Sequence, residues 1–383
     1  MSEVKKLIGE ALADIVEAAG SGGPKVRIGL MAHGSELGAE ELANGGRLAQ
    51  EMTGSVRVVM IGPRVAGYDD LEWIETGDCD ADIAKAMETA LREKRIEGAV
   101  ALHYPFPMGV TTIGRVLTPA RGKDMIVASS TGTSAILRTE AMLRNAIYGI
   151  AVAKATGKRN PTLGILNVEG AQLVFRALSK LKDSGYDITF GSSVRKDGGA
   201  VLRGNDILAG AVDICVTDTL TGNVLMKMFS SYSTGGSFES LGWGYGPSCG
   251  DGWPHVISII SRASGAPVIA NAIAFNAAAV RGGLPASVAA ELASARKAGL
   301  DAVIADLAPK AVSPEEKIVP PPAEPTDDEI HGIDVLSIED AVRVLWQRKI
   351  YAESAMGCTG PVVKLAARNV GTAKAILKEN GYL

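Results

Sequence analysis

The stretch "AVDICVTDTLTGNVLMK" (211–227) carries the pattern from which the fold class can be predicted. A short apolar run ends at Asp218, a Thr/Gly/Asn turn follows, and a helix is predicted to open near Val224. An apolar run of this length, bounded by turn residues and followed by a helix, is typical of a strand buried on both faces of a parallel sheet.

The same alternation of apolar runs and helical patterns continues along most of the chain. The other strand candidates are "KVRIGLMAHG" (25–34), "SVRVVMIG" (55–62), "GAVALHY" (98–104), "MIVASS" (125–130), "TLGILNV" (162–168), "YDITFGSS" (186–193) and "APVIANAI" (266–273). Helical patterns lie between them, at 41–52, 81–94 and 169–185. The alternation predicts an α/β fold with a mostly parallel sheet, helices on both faces and ligands at the carboxyl ends of the strands.

Composition and charge exclude several classes of partner and site. The 383 residues carry a net charge of −4, which argues against nucleic acid or an anionic membrane as the main partner. "MSEVKKLIGEALADIVEAAG" (1–20) reads as an amphipathic helix rather than a signal peptide, and no apolar run is long enough to span a bilayer. The four cysteines lie far apart, at Cys79, Cys215, Cys249 and Cys358. We therefore expect a cytoplasmic protein with no metal and no cofactor.

A proline-rich segment divides the chain. "VSPEEKIVPPPAEPTDDEIHG" (312–332) has five prolines among acidic residues and predicts an extended linker between a core of residues 1–311 and a C-terminal module of residues 333–383. In the module, "IDVLS" (333–337) is a strand candidate, and the helix "SIEDAVRVLWQRK" (337–349) has Ser337 as its N-cap candidate.

Near the C-terminus, "ESAMGCTGPVVKLAARN" (353–369) surrounds Cys358 with glycines. Pro361 suits the first turn of a helix, so the thiol is expected at a strand-to-helix turn. Amides at a helix N-terminus lower a thiol pKa from about 8.5 and can also stabilise an oxyanion. The turn residues are Gly357, Thr359 and Gly360. A small buried cysteine packed at a turn is the alternative.

Polar residues follow several predicted strands and predict a phosphate or acyl site. In the opening stretch, the turn Thr221-Gly222-Asn223 with Lys227 forms an anion site, unless it is only a capped turn with a surface lysine. The ends of two other predicted strands, at 125–130 and 162–168, contribute further candidates for this site: Ser130, Thr131, Gly132 and Asn167.

Two histidines also follow strands directly. His33 and His103 can each polarise a carbonyl or move a proton, or can be plain polar residues at a strand end. The Gly/Ser/aromatic stretch 230–253 is either a lid, a partner surface or a loop packed on its own aromatic residues.

Several of these segments resemble the PlsX phosphate acyltransferases. The similar segments are "RGNDILAGAVDICVTDTLTGNVLMK" (203–227), "PTLGILNVEG" (161–170), "MIVASSTGTSAILRTEAMLRNAIYGIAVAKA" (125–155) and "GAPVIANAIAFNAAAVRGGLPAS" (265–287). The resemblance covers roughly residues 25 to 305. It implies a three-layer Rossmann-like fold of the isocitrate/isopropylmalate dehydrogenase type, usually dimeric, that acts on acyl groups and phosphate.

The chain departs from that pattern at "HYPFPMGVTT" (103–112), at "NAIAFNA" (271–277) and in its C-terminal module. A PlsX-like core followed by a "GCTGP" tail resembles the component C alpha subunits of the glycine/sarcosine/betaine reductase complex. That resemblance implies that Cys358 carries an acetyl thioester, which phosphate releases as acetyl phosphate. It also implies three partners: inorganic phosphate, a ketoacyl-synthase-like component C beta subunit, and selenoprotein A as the acyl donor.

The sequence thus predicts an acyltransferase with Cys358 as the nucleophile and a homo-oligomeric core. Two alternatives remain open. The first is a free-standing phosphate acyltransferase that uses acyl carrier protein or CoA thioesters, with a structural Cys358. The second is a non-catalytic scaffold subunit.

Overall fold

The computed structural model describes residues 25–196, 198–308, 318–335, 337–357 and 360–383, together with Leu12. The strands are β1 Val26–Met31, β2 Val56–Gly62, β3 Glu72–Glu75, β4 Gly98–Ala101, β5 Val110–Leu117, β6 Asp124–Gly132, β7 Thr162–Leu166, β8 Thr189–Phe190, β9 Val201–Leu202, β10 Ile214–Val216, β11 Gly246–Gly250, β12 Ile257–Ile259, β13 Asp328–Ile330, β14 Ala352–Gly357 and β15 Gly360–Leu365. The helices are α1 Ala39–Thr53, α2 Asp80–Arg92, α3 Arg138–Ala155, α4 Ala171–Asp183, α5 Gly204–Ala209, α6 Thr219–Ser231, α7 Ala266–Arg281, α8 Leu284–Lys297, α9 Leu300–Leu307, α10 Ile338–Gln347 and α11 Val370–Glu379. None of the helices within these ranges is long and apolar enough to cross a membrane.

The core is built on one twelve-stranded sheet in the order β3-β2-β1-β4-β12-β11-β5-β6-β10-β7-β8, with β9 beside β7. Most neighbours are parallel, and helices pack against the sheet, so the predicted α/β class is confirmed. Three antiparallel pairings, β12–β11, β11–β5 and β5–β6, lie in its middle. The parallel strands on the two sides of this centre therefore run in opposite directions.

The sequence did not predict the antiparallel centre. β11 lies in the Gly-rich stretch 230–253 and reads Gly-Pro-Ser-Cys-Gly, without a β-branched or aromatic residue to signal a strand. Gly246 is required there, because its φ is 85° and a Cβ atom would lie 1.7 Å from the carbonyl oxygen of Ile113. Close backbone approach, rather than side-chain propensity, fixes this strand.

The prediction of a strand at 266–273 is wrong, because these residues open helix α7. Pro267 occupies the first turn, where its missing N–H costs no hydrogen bond. The helix is buried on most sides, and Asn276 donates hydrogen bonds to Ala99 O and Val256 O of the sheet below it. Over eight residues, a helix buried all round has the same apolar pattern as a buried strand.

The C-terminal module is a small α/β unit. β13, β15 and β14 form a three-stranded antiparallel sheet, on which α10 and α11 pack. The module has its own hydrophobic cluster, built from Ile330, Ile333, Val342, Leu345, Val363, Leu365, Ile376 and Leu377. Helix α10 follows Ser337 as predicted.

Two details of the predicted module are wrong. Residues 333–335 are not a strand; the strand is β13, at 328–330, inside the segment predicted to be a linker. Pro361 does not begin a helix but lies in β15, the central strand, paired with β13 and β14. Val362 and Val363 are β-branched and fully buried, which favours a central strand over a helical first turn.

Candidate active site

Three of the predicted strand ends meet. β10 lies between β6 and β7 and is parallel to both, with Val216 opposite Ala128 on one side and Ile165 on the other. Residues that follow these positions therefore gather at one edge of the sheet. This edge brings together the Ser130, Thr221 and Asn167 regions, as the sequence pattern predicted.

The hydroxyl groups at the end of β6 form hydrogen bonds to other groups of the protein. Ser130 is fully buried, and its Oγ donates a hydrogen bond to Tyr245 O at 2.5 Å. Thr131 Oγ1 lies 2.8 Å from Thr112 Oγ1. Gly132 has a φ of 76°, and a Cβ atom there would lie 2.5 Å from Val110 O. These residues tie β6 to β5 and β11.

Helix α6 begins at Thr219, five residues before the predicted start near Val224, because Asp218 caps it. The Asp218 carboxylate accepts hydrogen bonds from Thr221 N at 3.1 Å and Thr221 Oγ1 at 2.6 Å. The predicted Thr221-Gly222-Asn223 turn is thus the first turn of the helix. A negative charge already occupies the end of α6 at which a phosphate was expected to bind.

The same turn locks α6 against β6. A Cβ atom on Gly222 would lie 1.8 Å from Ser129 O, so only glycine permits this approach. Asn223 Nδ2 donates a hydrogen bond to Ser130 O at 3.0 Å. Both contacts hold the helix close to the end of the strand.

Lys227 extends toward a buried carboxylate. Its Nζ lies 4.0 Å from Glu239 Oε1 and 5.5 Å from the centre of the Tyr245 ring. Glu239 is 3% exposed and accepts a hydrogen bond from Tyr245 Oη at 2.8 Å. Burial and the Glu239 charge raise the pKa of the Tyr245 phenol. The ammonium therefore serves the charge balance of this cluster.

His103 is exposed and follows β4. Three antiparallel pairings separate β4 from β6, so β4 runs opposite to β6, β10 and β7. The structure thus places His103 away from the edge at which the three strand ends meet. His33 follows β1, which is parallel to β4, and its Nδ1 lies 3.0 Å from Asp80 Oδ1. A catalytic role for His103 stays a prediction.

A cavity of about 660 Å³ opens beside the end of β7, where the core meets the module. The core contributes residues that follow β7 and residues of the segment 195–203; the module contributes residues 331–335 and Pro361. The polar and charged lining residues are Asn167, Glu169, Gln172, Arg195, Arg203, His331 and Asp334. Of the predicted site residues that the structure describes, Asn167 lines this cavity.

Asp206 fixes the position of both arginines. Its carboxylate is 1% exposed and accepts hydrogen bonds from Ser193 Oγ, Val194 N and Arg203 N at 2.7–3.0 Å. The segment that carries Arg195 and the backbone of Arg203 are thereby joined through one buried group. A buried, multiply bonded carboxylate holds its partners rigidly.

The module docks on α4. Asp334, 3% exposed, accepts a hydrogen bond from the N–H of Gly170, the N-cap residue of α4, at 3.0 Å. Arg176 Nη1 donates hydrogen bonds to Gly332 O at 3.3 Å and to Tyr382 O at 2.9 Å. Burial lowers the pKa of Arg176, and the Asp334 charge opposes that shift. These polar contacts hold the module against the core beside the cavity.

Cys358 and Thr359 lie outside the described residues, and the role predicted for them is not tested by the geometry. Their neighbours in the chain are described: Gly357 and Gly360 pair at the end of the β14–β15 ladder. Pro361 follows in β15 and lines the cavity. Because β15 is a strand, the helix amides expected beside the thiol are not supplied by residues 360–365.

The other cysteines are of two kinds. Cys215 and Cys249 are buried, and burial raises the pKa of Cys215 to about 12 and that of Cys249 still further. Such thiols stay protonated and unreactive at neutral pH. Cys79 is exposed, at the N-cap position of α2.

The sequence interpretation missed Arg195, Arg203 and Asp206. A signal was present in "SSVRKDGGAVLRGND" (192–206), where two arginines flank a Gly-Gly pair. Gly198 and Gly199 both have positive φ, at 62° and 94°. Glycines that bend the backbone between basic residues are a feature of anion-binding loops.

The chain is similar to known proteins over most of its length. The family model described as "Fatty acid synthesis protein" matches residues 26–364. The glycine/sarcosine/betaine reductase complex component C subunit alpha of Peptoclostridium acidaminophilum is 49% identical over 387 residues, covering 100% of both chains. A phosphate acyltransferase of Thermotoga neapolitana is 26% identical over 261 residues, covering 57% of this chain and 76% of its own.

Among solved structures, a branched-chain phosphotransacylase from Enterococcus faecalis V583 aligns with 67% of this chain and 99% of its own. Its TM-score is 0.47 and its sequence identity to this chain is 13%. The family model and the full-length relative together show the family of this chain. The chain belongs to the fatty acid synthesis protein family and to that of the glycine/sarcosine/betaine reductase complex component C alpha subunits.

Proposed function

We propose that this chain is an acyltransferase subunit that passes an acetyl group from a thioester on Cys358 to inorganic phosphate, giving acetyl phosphate. It acts as the alpha subunit of component C in a glycine/sarcosine/betaine reductase complex. Two comparisons support this function: a full-length relative bears that subunit name, and relatives of the core are named phosphate acyltransferases.

The observation that carries the proposal is the cavity between core and module. It brings Pro361, three residues beyond Cys358, together with Asn167 at the end of β7. In this proposal, the phosphate that binds in the cavity attacks the acyl group on Cys358 at this opening. The module then presents the acyl group, and the core supplies the polar wall.

The proposed reaction balances without a further reagent. An oxygen of hydrogen phosphate attacks the thioester carbonyl carbon, and a tetrahedral intermediate forms. The C–S bond then breaks, the new C–O bond remains in acetyl phosphate, and the electron pair leaves with the Cys358 sulfur as thiolate. Sulfur is a good leaving group and thiolate a strong nucleophile, which suits a covalent intermediate.

The partners proposed for this reaction are a component C beta subunit and a selenoprotein that delivers the acyl group. A homo-oligomeric core is part of the same proposal. Sedimentation of the chain alone and with its beta subunit tests both associations.

Cys358→Ala tests the function. In the assembled complex, supplied with acyl donor and phosphate, this variant is expected to form no acetyl phosphate, whereas Cys79→Ala keeps the normal rate because Cys79 is an exposed thiol elsewhere in the core. If Cys358→Ala forms acetyl phosphate normally, the thioester is excluded. Activity of that variant with acetyl-CoA or acyl carrier protein would then favour the free-standing acyltransferase.

A further inference from the structure

We propose that inorganic phosphate binds in the cavity between core and module, held by the guanidinium groups of Arg195 and Arg203 and the amide of Asn167. That this phosphate then attacks an acyl group on Cys358 rests on the proposed function. The binding of phosphate itself does not.

The lining of the cavity fits a small oxyanion. Arg195 and Arg203 come from one segment of the core, and Asn167 follows the neighbouring strand β7. Arginine is planar and carries five N–H donors, which suits two-point binding of a phosphate. With that many donors, one guanidinium can bind a protein group and a phosphate at the same time.

The carboxylates in the cavity wall are already matched by protein groups. Glu169 Oε2 lies 2.7 Å from Arg138 Nη1, and Asp334 accepts the Gly170 N–H at 3.0 Å. Arg138 beside Glu169 and Arg176 near Asp334 are cations outside the lining, and they reduce the repulsion of these two carboxylates toward an incoming anion.

The arginine segment is held in place before any ligand arrives. Asp206 binds the N–H of Val194, one residue before Arg195, at 2.7 Å, and the N–H of Arg203 at 2.7 Å. It is buried and is the positioning residue of the site. A preorganised site loses less conformational entropy when the anion binds.

The two sites that the sequence suggested at the other strand ends are less suitable. At α6, Asp218 caps the helix and would repel phosphate, while Lys227 lies beside Glu239. At β6, Ser130 is buried and bonded to Tyr245 O. The end of β7, in contrast, opens into a cavity that is lined by two arginines.

Equilibrium binding of radiolabelled inorganic phosphate to the full chain tests the site. Arg195→Gln and Arg203→Gln are each expected to weaken phosphate binding about 10- to 150-fold, the range for losing a hydrogen bond to a charged group. The control is Arg121→Gln. Arg121 is exposed and lies before β6, at the opposite edge of the sheet from the cavity.

Two further measurements keep the outcomes separate. In the complex, Arg195→Gln should raise the KM for phosphate by the same factor, with acylation of Cys358 unchanged by mass spectrometry. Arg195→Lys should recover part of the affinity, because it restores the charge without the planar fork. Arg195 lies outside the helices and strands, so Arg195→Gln decides the question even if Arg203→Gln fails to fold.

Normal phosphate binding by Arg195→Gln, or equal weakening by Arg121→Gln, would overturn the site and leave the Cys358 thioester intact. Conversely, arginine-dependent phosphate binding without any acylation of Cys358 would establish the site and refute the proposed function.

Discussion

Replacing Asp334 with alanine is expected to loosen the module from the core without unfolding either. The Asp334 carboxylate is 3% exposed and accepts a 3.0 Å hydrogen bond from Gly170 N at the start of α4. A hydrogen bond to a charged group contributes about 1.5–3 kcal/mol. This free energy corresponds to a docking equilibrium weakened by about 10- to 150-fold.

Hydrogen exchange followed by mass spectrometry measures this change where it occurs. In Asp334→Ala, amides at the start of α4 and in residues 331–335 should exchange faster by up to that factor. Amides of β14 and β15 should stay protected, because the module has its own hydrophobic cluster. Phosphate-dependent acyl transfer should fall in parallel, since the cavity loses one wall.

The control for this variant is Asp301→Ala, which removes an exposed carboxylate from the first turn of α9. It should leave exchange at α4 unchanged. A docking role for Asp334 is excluded if Asp334→Ala exchanges like the unaltered chain at α4, or if all amides of the module lose protection together.

Three further outcomes follow from individual contacts. Gly222→Ala should lower the free energy of unfolding by about 1–3 kcal/mol, because its Cβ would lie 1.8 Å from Ser129 O. The control, Gly371→Ala, should not destabilise the protein, because the space around Gly371 in α11 is open. Thermal melting compares the two variants, and equal melting temperatures would contradict the close approach. Lys227→Ala should reduce stability by up to about 1 kcal/mol while the KM for phosphate stays constant, and a rise in that KM with unchanged stability would restore Lys227 to the phosphate site. The free energy of unfolding should fall above about pH 9, by up to about 1.4 kcal/mol per pH unit for each buried thiol. The reason is that Cys215 and Cys249 stay protonated in the folded state while the unfolded state loses those protons. Denaturant titrations at rising pH measure this slope, and a free energy of unfolding that does not change with pH would contradict the prediction.

Much of the core could be predicted from the sequence because its strands are apolar and its helices amphipathic. The stretch 211–227 predicts the strand and the helix in the correct order, but the strand ends at Val216 rather than Asp218, and the predicted turn is the first turn of the helix. Two elements were not predicted correctly. The strand β11 was missed because it is fixed by the backbone approach of Gly246 to Ile113, and the helix α7 was predicted to be a strand because it is buried on most sides. Neither pattern carries a periodic signal that identifies its structure.

The candidate site also contains residues that the sequence predicts and residues that it does not. Asn167 is predicted to bind phosphate or an acyl group because it follows a buried strand; it does follow β7 and lines the cavity, and its binding role stays a prediction. Arg195 and Arg203 were missed, because the buried Asp206 that positions them and the module that completes the cavity act across the fold rather than along the chain. The strand β15 was read as a helix because Pro361 and the glycines resemble a helix start, whereas pairing with two neighbouring strands determined the outcome.

Single-turnover mass spectrometry of the peptide that contains Cys358 tests the central claim most directly. When the assembled complex receives acyl donor without phosphate, an acetyl group is expected on Cys358. Adding phosphate should remove it and release an equal amount of acetyl phosphate. Acetyl phosphate that forms while Cys358 is never acetylated would exclude a thioester on Cys358 as the intermediate.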